Sequence, residues 1–265
     1  MVLIDKLKQI NSFKAPLFNK IGSKNLETEC LFGEEFLIFD QHKSWSFGKL
    51  LTDDYIGWIQ NKYLTNSIET SHRVITKTTN IYKSNNPKSM ILKVLSMGSL
   101  VKTIEEFDKW FKVEVQNDFK KKYGFIPKTH LAKKYHNQYN WLQLAENMID
   151  IPYVWGGRSS QGIDCSALLQ ITIRNGGIKI PRNTQEQINF FSMSRNFKSH
   201  IINKKTIYDK GSIIFWDGHV GFLLNKNKLL HANGHHMKVV KESIFKAIER
   251  LKKNNIKPTH LFTII

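Results

Sequence analysis

Three side chains in this sequence are of the types, and in the order, that could build a thiol nucleophile with its base. Cys165 closes the stretch Tyr153-Val154-Trp155-Gly156-Gly157-Arg158-Ser159-Ser160-Gln161-Gly162-Ile163-Asp164-Cys165-Ser166. His219 follows within Gly218-His219-Val220-Gly221, and His231 within Leu229-Leu230-His231-Ala232-Asn233-Gly234. A thiol must surrender its proton to attack a carbonyl. Imidazole has the pKa to take that proton, and a second polar group must orient the ring. On residue types alone, either histidine could be the base and the other its orienter. The chemistry would be hydrolysis or transfer at an amide or ester carbonyl through an acyl-thioenzyme, with no substrate named.

These residues need particular elements to bring them together. Gly156, Gly157 and Gly162 mark a sharply turning loop, and from Ser166 an apolar run (Leu168, Leu169, Ile171, Ile173) reads as a helix that stops at Gly176-Gly177. Asp164 stands in the N-cap region. Cys165 is thereby placed at the positive end of a helix dipole, where a lowered thiol pKa is expected. The segments Gly211–Trp216 and His219–Leu224 read as buried strands around a tight turn, followed by a third strand with His231. Pairing of these strands would set His219 and His231 on one sheet face. Trp141–Met148 reads as an earlier helix ending before Pro152, Glu242–Lys253 as a later one, and Thr259–Ile265 as a last strand.

The first half carries an internal repeat. Gly33-Glu34-Glu35-Phe36-Leu37-Ile38, Trp45, Gly57-Trp58-Ile59 and Leu64 correspond to Gly98-Ser99-Leu100-Val101-Lys102-Thr103, Trp110, Gly124-Phe125-Ile126 and Leu131. The Gly-to-Trp and final Gly-to-Leu spacings agree, and only an insertion at Asn117 to Lys122 separates the copies. Short alternating segments such as Trp110–Val115 suggest two small five-strand barrels. The expected domains are residues 1–69, 70–134 and 135–265.

Composition narrows the function classes. The chain has 265 residues, ordinary apolar content and a formal charge of +18. Its lysines are scattered, without a basic stripe interleaved with stacking aromatics, so no nucleic-acid partner is expected. No apolar run approaches membrane-spanning length, and the first 20 residues hold no continuous apolar core of a signal peptide. Cys30 and Cys165 are the only cysteines, a pattern suited to a reducing compartment. The expectation is a cytoplasmic monomer without membrane association. His231, His235 and His236 raise the question of a metal, but no Cys-x-x-Cys or His-Glu-x-x-His pattern accompanies them. No metal and no cofactor are expected.

The stretch Tyr153–Gln170, then Gly218-His219-Val220-Gly221, then His231-Ala232, resembles the NlpC family of papain-like cell-wall cysteine peptidases, in that family's order Cys, His, His. Ile180-Pro181-Arg182 matches its segment after the cysteine helix, and Ala167 departs from the family's usual glycine. The resemblance covers about the last half of the chain. It implies an α+β papain-like domain with the cysteine on a helix N-terminus facing an antiparallel sheet. It also implies roles: Cys165 the nucleophile, His219 the general base and His231 its orienter. The repeated half resembles bacterial SH3-like domains, which implies two small β-barrels ahead of the catalytic domain.

Two SH3-like domains before an NlpC domain are similar to the γ-D-glutamyl–L-diamino-acid endopeptidases of murein recycling. That resemblance implies cleavage between D-Glu and diaminopimelate in murein peptides whose L-Ala amine is free. It implies that Asp164 and Ser166 help hold the ammonium, that Glu34 and Tyr55 close the subsite, and that Tyr153 lines it. Arg182 is expected either to bind a substrate carboxylate or to be structural. Two other classes stay open on the sequence: a binding module for wall fragments with a degenerate enzyme half, and an acyltransferase on the same scaffold.

Overall fold

The computed structural model of the protein describes residues 6–115, 122–134, 140–203, 206 and 208–264. The insertion at Asn117 to Lys122 lies, up to residue 121, outside them. The described residues fall into two compact units, one within Met1–Gln138 together with Arg158–Ser160, the other within Tyr139–Gly157 and Gln161–Ile265.

Among its described residues the first unit is built from strands. One five-stranded antiparallel sheet runs in the order Ile56–Gln60, Trp45–Leu50, Glu35–His42, Lys6–Ile10, Leu64–Asn66. A seven-stranded sheet runs Ile91–Ser96, Thr78–Tyr82, Lys122–Pro127, Trp110–Val115, Leu100–Glu106, His72–Val74, Leu131–Lys133. Strand alternation explains the burial: Phe36 and Ile38 turn inward from Glu35–His42 and join Ile10, Leu17, Cys30, Leu50 and Ile59 in one core. The two sheets repeat one another in detail. Gly33 and Gly98 both have positive φ (81° and 88°), and five residues after each glycine the register shifts, at Ile38/Asp40 and at Thr103/Glu105. A short 3-10 turn precedes the last strand in both, at Asn61–Tyr63 and Lys128–His130.

The repeats share their interior. Phe32, from the first, belongs to the core of the second with Val74, Ile81, Leu95, Val113 and Ile126. The Leu100 N–H donates to the Phe32 carbonyl at 2.8 Å. A Cβ on Gly33 would lie 1.9 Å from the Leu100 carbonyl oxygen, so both its φ and the close backbone approach demand glycine.

The second unit has the papain-like arrangement of helices on an antiparallel sheet. Helix α1 is Trp141–Glu146, α2 Cys165–Asn175, α3 Thr184–Met193 and α4 Ile244–Lys252. The six-stranded sheet is ordered Phe197–His200, Pro258–Ile264, Ile213–Trp216, His219–Leu223, Lys228–Asn233, Lys238–Ser243. Every α2 residue except Arg174 is buried. Ile244 and Ala247 of α4 pack with Trp216, Leu223, Leu229 and Leu261. The α+β expectation, with SH3-like β structure ahead of a papain-like domain, is met. The boundary that bears on the site differs from the sequence reading: α4 starts at Ile244, and Glu242 is the fifth residue of the Lys238–Ser243 strand. No helix among the described residues is long and apolar enough to cross a membrane.

Candidate active site

The helix that presents Cys165 is fixed from its N-cap. Asp164 has extended backbone (φ −96°, ψ 177°), and its Oδ1 accepts the Ala167 N–H at 2.8 Å. Its Oδ2 accepts the Gly156 N–H at 2.9 Å, which ties the glycine loop to the start of α2. Gly156 holds φ +76°, and a Cβ on Gly157 would come within 2.5 Å of the Gly162 carbonyl oxygen. The loop glycines serve close backbone packing, as their spacing suggests.

Arg182 completes this cap. Its Nη1 donates to Asp164 Oδ1 (3.0 Å) and Ser166 Oγ (2.7 Å), and its Nη2 to Asp164 Oδ2 (2.6 Å). Ser166 Oγ itself donates to Asp164 Oδ1 at 3.1 Å. The Asp164 carboxylate therefore receives five hydrogen bonds from within the unit, filling the lone pairs a carboxylate offers. Asp164 and Ser166 are thus brought together at the start of α2, bonded to each other and to Arg182. Arg182 is buried, 2% exposed, with these contacts inside the unit. Gln187 of α3 donates to the Ser166 carbonyl at 3.0 Å and holds the Arg182 segment against α2.

The cysteine and histidines converge on the sheet. Cys165 Sγ lies 4.0 Å from the Gly218 carbonyl oxygen, and the Val220 N–H hydrogen-bonds the sulfur, so the thiol meets the backbone on both sides of His219. His219 Nε2 is 2.8 Å from His231 Nδ1. The strand register makes this contact: Phe222 pairs with Leu230, so His219 and His231 stand diagonally on one face. Gly221 lies between them in register. A Cβ there would fall 2.8 Å from Leu229 Cδ1 and 3.0 Å from His231 Cβ. Gly221→Ala is expected to displace His231 and lower kcat about 10²-fold, the cost of roughly an ångström of misplacement, with KM little changed. Steady-state kinetics beside a thermal melt checks this.

The electrostatics depart from the sequence expectation at the thiol. Burial, then the negative charge of Asp164, pushes the Cys165 thiol up to about 12. The Val220 and Ser166 N–H groups and Arg182 act the other way and are outweighed. Desolvation of the buried sulfur outweighs the helix dipole, and the Asp164 carboxylate adds to it. Burial, followed by the nearby His231 and Arg250, presses His219 down to about 3. Burial also lowers His231, against the opposing pull of Glu242. The resting pair is thus a neutral thiol and a neutral imidazole.

Tyr153 is held beside the cysteine. Its N–H donates to the Met237 carbonyl at 2.9 Å, anchoring it along the Lys238–Ser243 strand. Burial, then the Cys165 and Asp164 charges, raises its phenol well above the ordinary value, so it stays protonated and able to donate.

The two residues expected from the first repeat have partners within their own unit. Glu34 is fully buried: Oε1 and Oε2 accept Arg158 Nη2 (3.1 Å) and Nη1 (3.0 Å), and Oε2 also accepts the Leu31 N–H at 2.7 Å. Tyr55 packs against the first core and donates its hydroxyl to Glu27 Oε2 at 3.1 Å. The structure places Glu34 in a buried ion pair with Arg158, and Tyr55 against the first core.

Sequence reasoning missed two residues. Glu242 Oε1 lies 2.7 Å from His231 Nε2, and Arg250 of α4 grips the carboxylate at 2.8 and 2.5 Å. The signal was the alternation of Val240 and Glu242 on one strand face, hidden by the helical reading of the segment. His236, considered as a metal ligand, instead directs its N–H and Nδ1 at Asn233 Oδ1 (2.8 and 3.1 Å).

Comparison with known proteins agrees with this geometry. Residues 150–257 match the model of the NlpC/P60 family, and residues 17–64 that of the bacterial dipeptidyl-peptidase Sh3 domain. The chain is 26% identical over 175 residues to the gamma-D-glutamyl-L-lysine dipeptidyl-peptidase of Bacillus subtilis (strain 168), covering 61% of this chain and 57% of that protein. It is 31% identical over 106 residues to dipeptidyl-peptidase 6 of Lysinibacillus sphaericus, covering 39% of this chain and 35% of that protein. These alignments span about half or less of those relatives' lengths. Among solved structures, an NlpC/P60 family protein from Bacillus cereus ATCC 10987 superposes with a TM-score of 0.76 at 18% identity, covering 90% of this chain and 94% of that one. At that identity the likeness concerns the fold.

Proposed function

We propose, from the premise that this chain carries an NlpC/P60 cysteine-peptidase domain behind a bacterial dipeptidyl-peptidase SH3 domain, that it hydrolyses the amide between γ-D-glutamate and a diamino acid in murein peptides with a free L-Ala amine. The observation that carries a hydrolase reading is that Cys165 Sγ meets the backbone on both sides of His219, whose ring contacts His231. The name of the Bacillus subtilis relative suggests the substrate class, γ-D-glutamyl peptides, and cytoplasmic recycling of wall peptides is the setting we assign.

The chemistry follows from the neutral resting pair. His219 Nδ1, the ring nitrogen left over from the His231 contact, takes the thiol proton as Sγ attacks the glutamyl δ-carbonyl. The carbonyl oxygen becomes an oxyanion, and the Cys165 N–H in the first turn of α2 is its first donor, with the protonated Tyr153 phenol a second candidate. Collapse breaks the C–N bond while the His219 proton passes to the leaving amine of the diamino acid. Water, deprotonated by the same nitrogen, then attacks the thioester and returns the thiol.

The test is mass spectrometry of L-Ala–γ-D-Glu–meso-diaminopimelate and of its L-lysine counterpart after incubation with the protein, alongside Cys165→Ala and the N-acetylated peptides. Release of the diamino acid by wild type alone, blocked by acetylation, is the expected result. Cleavage of acetylated peptides would remove the free-amine selection. Tight binding without cleavage would turn the reading to a binding module.

A further inference from the structure

The side-chain relay from His219 to His231 continues past His231, and its far end decides which nitrogen of each ring carries a proton. His231 Nε2 has two rivals for its attention: Glu242 Oε1 at 2.7 Å and Asn233 Nδ2 at 2.9 Å. A carboxylate can only accept, so with Glu242 as partner Nε2 bears the proton and Nδ1 is a lone pair. An amide NH2 can only donate, so with Asn233 as partner Nε2 is the lone pair and Nδ1 bears the proton. The Asn233 amide cannot escape by rotating, because its Oδ1 is held by the His236 N–H at 2.8 Å.

The choice propagates. When His231 Nδ1 is a lone pair, His219 Nε2 across the 2.8 Å contact must carry the proton, and His219 Nδ1 is left able to receive one from the thiol. In the other tautomer His231 Nδ1–H donates to His219 Nε2, the proton of His219 moves to Nδ1, and the base is switched off. Arg250 biases the outcome. Its fork binds both oxygens of Glu242 (2.8 and 2.5 Å) and keeps the carboxylate ionised, while the side chains of Glu242 and His231 are only 11% and 1% exposed. A charge-assisted partner in such a site outweighs a neutral amide.

We propose that Glu242, clamped by Arg250, is a positioning residue that selects the active tautomer of the His231–His219 pair against the competing Asn233. This rests on Cys165 and His219 being the nucleophile and base of the hydrolase reading, but not on the substrate assigned to it.

The experiment is 15N NMR of the histidine rings, with iodoacetamide alkylation of Cys165 and murein-peptide turnover, in wild type, Glu242→Leu and Glu242→Leu/Asn233→Ala. Wild type is expected to show His231 protonated on Nε2, and Glu242→Leu to show it on Nδ1. The alkylation and turnover rates of Glu242→Leu should fall at least about tenfold, within the roughly 10⁴-fold bound set by a wrong tautomer in a serine triad. Adding Asn233→Ala removes the competing donor and should recover part of that loss, which a merely structural role for Glu242 would not produce. The proposal is overturned if wild-type His231 is protonated on Nδ1, if Glu242→Leu leaves tautomer and alkylation rate unchanged, or if Asn233→Ala gives no recovery. Should Glu242→Leu not fold, the wild-type spectrum decides alone. Because ring spectra and alkylation need no peptide, a protein that shows the tautomer pattern yet cleaves no murein peptide would sink the substrate and keep the relay.

Discussion

Replacing Cys165 or His219 by alanine is expected to lower turnover of a γ-D-glutamyl peptide by on the order of 10⁶, and replacing both to lower it no further. The equality follows from the resting state of the pair. A cysteine with a depressed pKa keeps some thiolate without its base, but burial and Asp164 push this thiol up to about 12. Without His219 almost no nucleophile exists near neutrality. The same state fixes a pH profile. With His219 pressed down to about 3, the imidazole is neutral throughout the useful range, and the thiolate fraction in the free protein should grow about tenfold per pH unit across neutrality. In His219→Ala, where no base assists, iodoacetamide modification of Cys165 should climb on that slope without a plateau. A rate flat through neutral pH in that variant would reveal a thiol with a depressed pKa and overturn this picture. Cys30 is the internal control: it is fully buried in the first core, and burial followed by the Glu34 charge raises its thiol, so the folded protein should leave it unmodified.

What could be read from the sequence was whatever depends on local pattern. The glycines before Cys165, the Asp164 cap and the apolar run after it specify a loop and a buried helix, and the structure has both. The repeat was legible because Gly33 and Gly98 answer the same need for positive φ at equivalent turns. What escaped depends on partners distant in sequence. The arginines that pair with Asp164 and Glu34 lie 18 and 124 positions away, and only the fold brings them in. The thiol pKa was misjudged for the same reason: a dipole is local knowledge, whereas desolvation is not. Glu242 was lost to a boundary of two residues, since an amphipathic helix pattern extended backwards looks the same whether or not its first residues still belong to a strand.

The Glu34–Arg158 pair leads to the largest expected effect on stability. Both side chains are fully buried, the guanidinium meets both carboxylate oxygens, and the Arg158 N–H and Nη1 also reach Glu29 Oε2 and its carbonyl at 3.0 and 2.8 Å. Glu34→Ala would take its bidentate partner from a buried cation, leaving the pull of Asp53, and would release the Leu31 N–H that the carboxylate holds beside the Gly33 turn. A loss of roughly 3–5 kcal/mol is expected, since breaking one side of a buried pair leaves the other charge uncompensated. Replacing both partners with apolar residues, as Glu34→Leu with Arg158→Met, should recover most of that loss, because the desolvation cost of two charges disappears with their attraction. Urea unfolding followed by hydrogen exchange in the strands around Phe36 and Ile59 measures this within the first unit. A Glu34 whose work is to grip a substrate amine makes the opposite pattern: Glu34→Ala would keep full stability and raise KM, and the double substitution would rescue nothing. With both oxygens already bonded and no exposed surface, the single substitution should instead unfold the first unit at lower urea, and the loss should be repaired from Arg158 rather than from the substrate side.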